Sequence, residues 1–253
     1  MALLKSGNPT LSEKRFEQSI DHLGNAQGTM TQQGTLNKFG IMMLLVIGSA
    51  SFAWKAAAEG KDIMPWIIGS AIGGLVVALI ISFKPTTAPY LAPVYALVEG
   101  VFVGGISAYY NDAFATVAPN IIMQAVGLTF GVLIAMFGLY HFGIIKATER
   151  FRSVLISATA GIAIFYLLSF VLRFFGIEMP LIHDSSMWGI IFSLVVVTIA
   201  ALNLILDFDL IDKGTSMGAP KYMEWFGAFA LLVTIVWLYI EILRLLSKLS
   251  SRE

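Results

Sequence analysis

Two apolar runs near the C-terminus carry carboxylates, and they decide the fold class. Residues 202–212 read LNLILDFDLID, and residues 225–246 read WFGAFALLVTIVWLYIEILRLL. An α-helix needs about 20 apolar residues to cross the hydrocarbon core of a bilayer. The second run has that length, and the first closes an apolar run that begins at residue 187. Because charges are costly at membrane depth, the acids in these runs are candidates for binding a proton, binding a cation or pairing with a base.

The composition extends this interpretation to the whole chain. The 253 residues have a mean hydropathy of +0.81, and only 13% of them are charged, against about 25% in soluble domains. This composition indicates a membrane protein, so the expected partner is the lipid bilayer. The formal net charge is zero, and nothing in the charge pattern suggests a nucleic-acid partner.

The sequence offers little for enzyme chemistry. It contains no cysteine, which excludes disulfides and thiolate metal sites. Its three histidines stand far apart and form no HExxH motif; they are His22, His141 and His183. We therefore predict a protein that is not an enzyme and has no cofactor, apart from Ca²⁺ as an ion that it could transport.

Seven apolar runs are separated by short polar connections. They span residues 36–54, 65–83, 90–110, 120–141, 153–175, 187–206 and 225–247. Residues 1–35 carry charges without a continuous apolar core, and we expect a polar N-terminal arm there with a short surface helix at 11–23. The prediction is an all-α integral membrane protein in which residues 36–253 form one domain of seven transmembrane helices.

The basic residues predict the orientation, because Lys and Arg are enriched in cytoplasmic loops. A cytoplasmic N-terminus places ten basic residues on the inner side and six on the outer side. The inner ones are Lys5, Lys14, Arg15, Lys38, Lys84, Lys146, Arg150, Arg152, Lys213 and Lys221. The outer ones are Lys55, Lys61, Arg173, Arg244, Lys248 and Arg252.

Glycines recur four residues apart in three of the runs, a spacing that lets helix backbones approach closely in lipid. This spacing predicts a compact helical bundle. The pairs are Gly69 with Gly73, Gly100 with Gly104, and Gly127 with Gly131.

Glu99 is the acid predicted to lie deepest in the membrane. It stands about nine residues into the third run, or roughly 14 Å along a helix that rises 1.5 Å per residue. An intramembrane acid of this kind is a candidate for binding a proton or an ion. The alternative is a structural acid that is hydrogen-bonded to a neighbouring hydroxyl such as that of Tyr95, one turn earlier.

Asp207 and Asp209 close the sixth run but face different sides of a helix. Asp207 shares a face with Asn203, four residues earlier, whereas Asp209 points about 200° away. We therefore expect Asp207 to face the polar side of the helix. Asp209 and Asp212 are expected at a solvated helix end. A cytoplasmic base such as Lys84 is one candidate partner for Asp207.

Glu241 lies within the last run, three residues before Arg244. This spacing allows an ion pair within one helix, with Arg244 extending to the headgroups. Glu224, at the start of the run, is expected to be an interfacial acid. Two carboxylates that come close would share a proton, and oxygen ligands suit Ca²⁺. Asp207 and Glu241 are thus candidate Ca²⁺ ligands.

These residues resemble the Bax-inhibitor (TMBIM-type) family, in particular its bacterial YccA-like branch. The resemblance covers residues 36–249 and rests on LNLILDFDLID, on LVTIVWLYIEILRLL and, in the third run, on PVYALVEGVFVGGIS. It implies a multi-pass protein of the bacterial inner membrane. Its C-terminal helix would be central between two three-helix layers.

The resemblance also implies a pH-sensitive calcium leak channel. In the family, an acid ending the sixth helix shares a proton with an acid in the seventh, and a base ending the second helix interacts with the pair. These positions match Asp207, Glu241 and Lys84. However, Glu241 lies roughly 24 Å along a helix that starts near residue 225, far from the expected depth of Asp207. Glu224 also resembles the acid-containing segment, so the motif favours Glu241 and the depth favours Glu224.

Three hypotheses about function remain open. The first is a passive, pH-gated calcium leak with Asp207, Glu241, Glu99 and Lys84 as pH-sensing or ion-binding residues. The second, associated with the YccA-like branch, is a regulatory binding protein of a membrane-bound AAA protease that uses the arm 1–35. The third is a proton-coupled small-solute transporter that uses Glu99. Secondary candidates for the site are Asp209, Glu224, Asn203 and Arg244.

Overall fold

The computed structural model of the chain describes residues 28–176, residue 179 and residues 184–252. Within these residues the chain forms seven α-helices, with one 3₁₀ turn at Pro85–Thr87. The helices are α1 (Gln32–Ala58), α2 (Met64–Phe83), α3 (Ala88–Ala113), α4 (Ile121–His141), α5 (Glu149–Phe174), α6 (Met187–Ser216) and α7 (Met223–Ser250). The surface helix expected at 11–23, together with His22 and His183, lies outside the described residues.

All seven helices are long and apolar enough to cross a membrane. No β-strand occurs in the part of the chain that the structure describes. Each helix corresponds to one of the seven predicted runs, so the prediction of an all-α, seven-helix integral membrane protein is confirmed.

Helix α6 extends well beyond the predicted end at residue 206 and continues to Ser216. Asp207 and Asp209 therefore lie inside a helix, which corrects the expectation that they stand at its end. The extension is amphipathic: one face is buried, and Asp209 pairs with Lys213 one turn later at 3.3 Å. The helix stops before Gly218, which adopts the left-handed φ of 69° that commonly ends helices. The buried residues of this segment include Phe208, Leu210 and Ile211.

Helix α7 is the most enclosed of the seven. In its most apolar 18-residue stretch 83% of the residues are buried, whereas the other helices range from 11% for α5 to 44% for the span that contains α3. This difference agrees with the central C-terminal helix that the family resemblance implies. The arrangement of the other six helices in two layers stays a prediction. Completely buried side chains of α7 include Phe226, Phe229, Leu232, Leu238 and Leu243.

One of the three predicted glycine pairs, Gly100 with Gly104, lies directly against the backbone of α1. A Cβ atom at Gly104 would lie 2.7 Å from the Cα of Ala50, and one at Gly100 would lie 2.8 Å from the Cα of Val46. Because these separations are shorter than any carbon–carbon contact, only glycine fits here. Around the other two pairs, Gly69 with Gly73 and Gly127 with Gly131, the described residues bring no backbone within 4 Å of a Cβ position.

The chain divides into two compact units. The first comprises the residues up to Tyr109 together with Asp207–Val233, and the second comprises Tyr110–Leu206 together with Thr234–Glu253. The acids singled out from the sequence are distributed over both units. Asp207, Glu224 and Glu99 belong to the first, and Glu241 belongs to the second.

Candidate functional site

Asp207 is a buried acid of the first unit. Its side chain is only 2% exposed, and its helical neighbours Leu204 and Ile205 are completely buried. Water does not stabilise a charge at such a position, so the charge depends on protein groups or on a bound cation.

The two acids that follow Asp207 have partners nearer the surface. Asp209 and Lys213 form the i,i+4 pair at 3.3 Å, and both side chains are half-buried. Asp212 accepts a hydrogen bond of 2.6 Å from the Nε2 of Gln32, at the start of α1. Both acids thus contribute contacts within the extension of α6 beyond residue 206.

Glu224 was expected at the interface but is fully buried, with 0% exposure. The backbone N–H of Thr31 donates to its Oε1 at 2.9 Å, and the Thr31 hydroxyl donates to the same oxygen at 2.8 Å. Lys221 pairs with Oε1 at 2.8 Å, and Lys38 pairs with Oε2. We call this group the Glu224 cradle; it consists of Thr31, Gly34, Lys38, Lys221 and Glu224.

The Glu224 cradle fills the hydrogen-bond acceptor sites of the Glu224 carboxylate. A carboxylate offers about four lone-pair sites, and Glu224 receives four donors. Gly34 makes room for it, because a Cβ atom at this position would overlap the carboxylate. With two lysines around one acid, the cradle carries a formal positive charge and is a poor site for a cation. Glu224 therefore fastens α1 to α7.

Glu241 is a buried acid of the second unit, with 1% exposure. The hydroxyl of Tyr166, on α5, donates to its two oxygens at 3.0 and 3.1 Å. The Nη1 of Arg244 donates to both oxygens at 2.9 Å and to the Tyr166 hydroxyl at 2.6 Å. The three side chains form a closed hydrogen-bonded ring, which we call the Tyr166 ring. It contains the predicted Glu241–Arg244 ion pair, which is confirmed.

Arg244 contacts Glu241 and Tyr166 within the second unit, and its predicted extension to the headgroups stays a prediction. Its guanidinium also lies over the aromatic ring of Tyr166, with 5.0 Å to the ring centroid. The cluster that we call the Tyr166 ring has no net charge, because Arg244 balances the charge of Glu241. A Ca²⁺ ion at Glu241 would therefore have to displace Arg244.

Asn203 lies in the second unit, where its Nδ2 donates to the Oγ1 of Thr159 at 2.9 Å and to the carbonyl of Ile199 at 2.8 Å. This contact links α6 to α5 through a neutral hydrogen bond. Asn203 thus contributes to helix packing within its own unit.

Glu99 is half-buried on α3, and its Oε2 lies 3.0 Å from the position that a Cβ of Gly74, on α2, would take. It is hydrogen-bonded to Tyr95, one turn earlier, as in the structural alternative considered above. The Tyr95 ring in turn packs edge-on against Phe229 of α7, with 4.9 Å between the ring centroids. Glu99 therefore lies at the close contact between α2 and α3, and its partner Tyr95 packs against α7.

Lys84 follows the last residue of α2, and its side chain is exposed. It pairs with no acid among the residues that the structure describes, so its interaction with Asp207 stays a prediction. Across the described ranges, no three His, Asp or Glu side chains come together in a group that could hold a metal ion.

Thr31, Lys38 and Tyr166 are among the contributors to these contacts that were not identified as partners from the sequence. The signal for Lys38 was a charge near the start of an apolar run, which requires a partner at membrane depth. Thr31 and Tyr166 gave no comparable signal, because a hydroxyl is inexpensive in a helix whether or not it contacts an acid.

The comparisons with known proteins agree with the fold and with the motifs. The sequence profile described as Bax inhibitor 1 like matches residues 8–251. No curated protein matches the chain. The matched family is membrane-associated and linked in general to ion leak and channel activity. Since the match covers nearly the whole chain, the protein belongs to the Bax inhibitor 1-like family.

Proposed function

We propose that this protein is a passive cation leak, with Ca²⁺ as the transported ion and Asp207 as the acid that controls it. The family supports ion leak as the general activity. The observation that carries the choice of residue is the burial of Asp207 in α6, at 2% exposure. A proton on this carboxyl removes the buried charge and favours close packing, whereas loss of the proton creates a site for a hard cation.

The contacts of the other two buried acids indicate a different part for them. Glu224 is surrounded by the donors of its cradle, and Glu241 is neutralised by Arg244. Each of these acids would have to give up a cationic partner before it could share a proton with Asp207 or bind Ca²⁺. We therefore assign Glu224 and Glu241 to the closed state as helix-linking acids. Lys84 is a base that could pair with Asp207 during closure.

We propose that the protein lies in the bacterial inner membrane, as its resemblance to the YccA-like branch implies. We further propose a cytoplasmic N-terminus, because Lys and Arg are more numerous on that side of the predicted spans. Asp207 lies in the half of α6 that leads to the α6–α7 connection, which this orientation puts on the cytoplasmic side. A change of cytoplasmic pH would then reach Asp207 first.

The test is Ca²⁺ flux into proteoliposomes at several pH values between about pH 6 and pH 8. The Asp207→Asn variant carries a neutral side chain that mimics the protonated acid. We expect its flux at high pH to fall to the low-pH level of the parent protein, so that the pH dependence disappears. Asp209→Asn is the matched control, because Asp209 lies two residues later and already pairs with Lys213.

Two outcomes separate the parts of the proposal. If Asp207→Asn keeps both the flux and the pH dependence of the parent, the assignment of Asp207 is wrong. If the parent itself shows no flux above protein-free liposomes, the leak function is wrong. Gel filtration of each purified variant shows whether a loss of flux reflects loss of the fold.

A regulatory role toward a membrane-bound protease is a second candidate function. The contact between Thr31 and the buried start of α7 favours it, because a partner that binds the N-terminal arm would act close to the enclosed helix. Deleting residues 1–27, the part of the arm that precedes the Glu224 cradle, separates the two functions, since a leak survives the deletion and regulation through the arm does not. The third hypothesis, a transporter that uses Glu99, requires a solute that accumulates against its gradient.

A further inference from the structure

The short segment at Thr29–Thr31 is attached to the start of α7 by more than the Glu224 cradle. Thr29 forms an antiparallel β-bridge with Pro220. The Met30 N–H donates to the carbonyl of Ala219 at 2.7 Å, and the Met30 side chain is buried. A few residues thus contact the α6–α7 connection and the first turn of α7 at once.

Helix α6 also contacts this N-terminal region. The hydrogen bond from Gln32 to Asp212 connects the start of α1 to the end of α6. Inside the contact, a Cβ at Gly227 would lie 3.2 Å from the Cγ2 of Thr35 and 3.5 Å from the Cε of Met30. Residues of the N-terminal segment and of the first turn of α1 therefore pack against α7 at Gly227 as well as at Glu224.

The burial of Glu224 ties this attachment to the position of α7. If residues 29–31 move away, the carboxylate loses two of its four donors and keeps only Lys38 and Lys221. Because lost hydrogen bonds to a buried charge are unfavourable, a shift at the start of α7 that lets water reach the acid becomes favourable. Movement of the segment and repacking of the helix are thereby linked.

We propose that the Glu224 cradle is a conformational coupling that transmits displacement of residues 29–31 to the enclosed helix α7. Displacement releases α7 and raises the cation leak, and reattachment lowers it. The second half of this inference rests on the proposed leak function, and the first half does not. A partner that pulls on the N-terminal arm would thereby increase the leak.

The coupling is tested with a cysteine reporter, which the cysteine-free sequence permits. Ala228 is completely buried and lies one turn after Glu224 on the same face of α7. In full-length Ala228→Cys protein in liposomes, we measure labelling by a membrane-permeant maleimide. Thr31→Val removes the hydroxyl that donates to Glu224 and that also accepts from the Gly34 N–H at the start of α1. Adding it should accelerate labelling at least about tenfold, the effect of losing one hydrogen bond to a charged group.

Two threonine substitutions serve as controls. Thr31→Ser keeps the hydroxyl and should label like the parent. Thr198→Val removes an exposed hydroxyl that bonds only the carbonyl of Leu194 in its own helix, and it should also leave the labelling rate unchanged. Equal labelling rates in the Thr31→Val and Thr31→Ser proteins overturn the coupling.

A disulfide supplies the reverse test for the leak. Residues opposite each other in an antiparallel bridge have Cα atoms about 4.5–5.5 Å apart, within the range that a disulfide spans. We expect oxidised Thr29→Cys/Pro220→Cys protein that also carries Thr31→Val to show the parental Ca²⁺ flux. Reduction should raise that flux about tenfold.

The two readouts distinguish the failures. If Thr31→Val accelerates labelling but the parent shows no flux above empty liposomes, the leak function is wrong and the coupling to α7 is supported. If the parent leaks and neither Thr31→Val nor reduction of the disulfide changes the flux, the control of the leak by this segment is refuted.

Discussion

The contact between α1 and α3 gives the sharpest prediction on stability. Gly104→Ala adds one methyl group where its carbon would lie 2.7 Å from the Cα and 2.8 Å from the carbonyl carbon of Ala50. Carbon atoms in contact are normally about 3.5–4.0 Å apart. The two helices must therefore separate by about 1 Å at this point, or their side chains must leave their preferred positions.

The magnitude follows from a comparison with Gly127→Ala. Forcing one methyl group into a packed contact costs about 1–3 kcal/mol. Both substitutions gain about 1 kcal/mol from the higher helix propensity of alanine, so this gain cancels between them. Gly127 has no atom of another described residue within 4 Å of its Cβ position. We therefore expect Gly104→Ala to be less stable than Gly127→Ala by about 1–3 kcal/mol.

The free energy of unfolding can be measured by SDS titration of the purified proteins in mixed micelles, followed by helicity or tryptophan fluorescence. The parent protein should lie between the two variants or close to the Gly104→Ala protein. A Gly104→Ala protein that is as stable as Gly127→Ala would refute the close approach of α1 and α3 at this glycine.

Two further predictions use the same titration. Tyr166→Phe removes the hydroxyl that joins Glu241 to α5, and we expect it to lower the free energy of unfolding by about 1–2 kcal/mol. Tyr90→Phe, at a residue that is 80% exposed, should lower it by nothing measurable. Equal stability of the two variants would contradict the hydrogen bonds of the Tyr166 ring. Gly34→Ala places a Cβ on the Glu224 carboxylate and should destabilise the protein. Gly40→Ala is the control in the same helix, because the space around its Cβ is open, and its free energy of unfolding should rise by up to about 1 kcal/mol. A gain in both glycine variants would argue against the cradle.

The fold could be predicted from the sequence because each transmembrane helix is encoded locally. A run of about 20 apolar residues must satisfy its own backbone hydrogen bonds in lipid, so length and composition suffice to locate it. The end of α6 was missed for a related reason. Residues 207–216 form an amphipathic extension, and its apolar face is recognisable only beside a partner helix.

The site could be predicted only in part, because most of its contacts join residues distant in the chain. The Glu241–Arg244 pair follows from a spacing of three residues, but the Lys38–Glu224 pair spans 186 residues. No pattern in a single sequence specifies that pairing. The glycine pairs show the same limit, since the GxxxG spacing permits close approach but does not identify the helix that approaches.

The enclosed position of α7 has a consequence for biosynthesis. Helix α7 is the last of the seven to leave the ribosome, yet it supplies the acids for Lys38 in α1 and for Tyr166 in α5. Until Met223–Ser250 has been inserted, Lys38 and Tyr166 are in the membrane without the carboxylates that they contact in the finished protein. The helices made first therefore reach their final polar contacts only after the last one has been made.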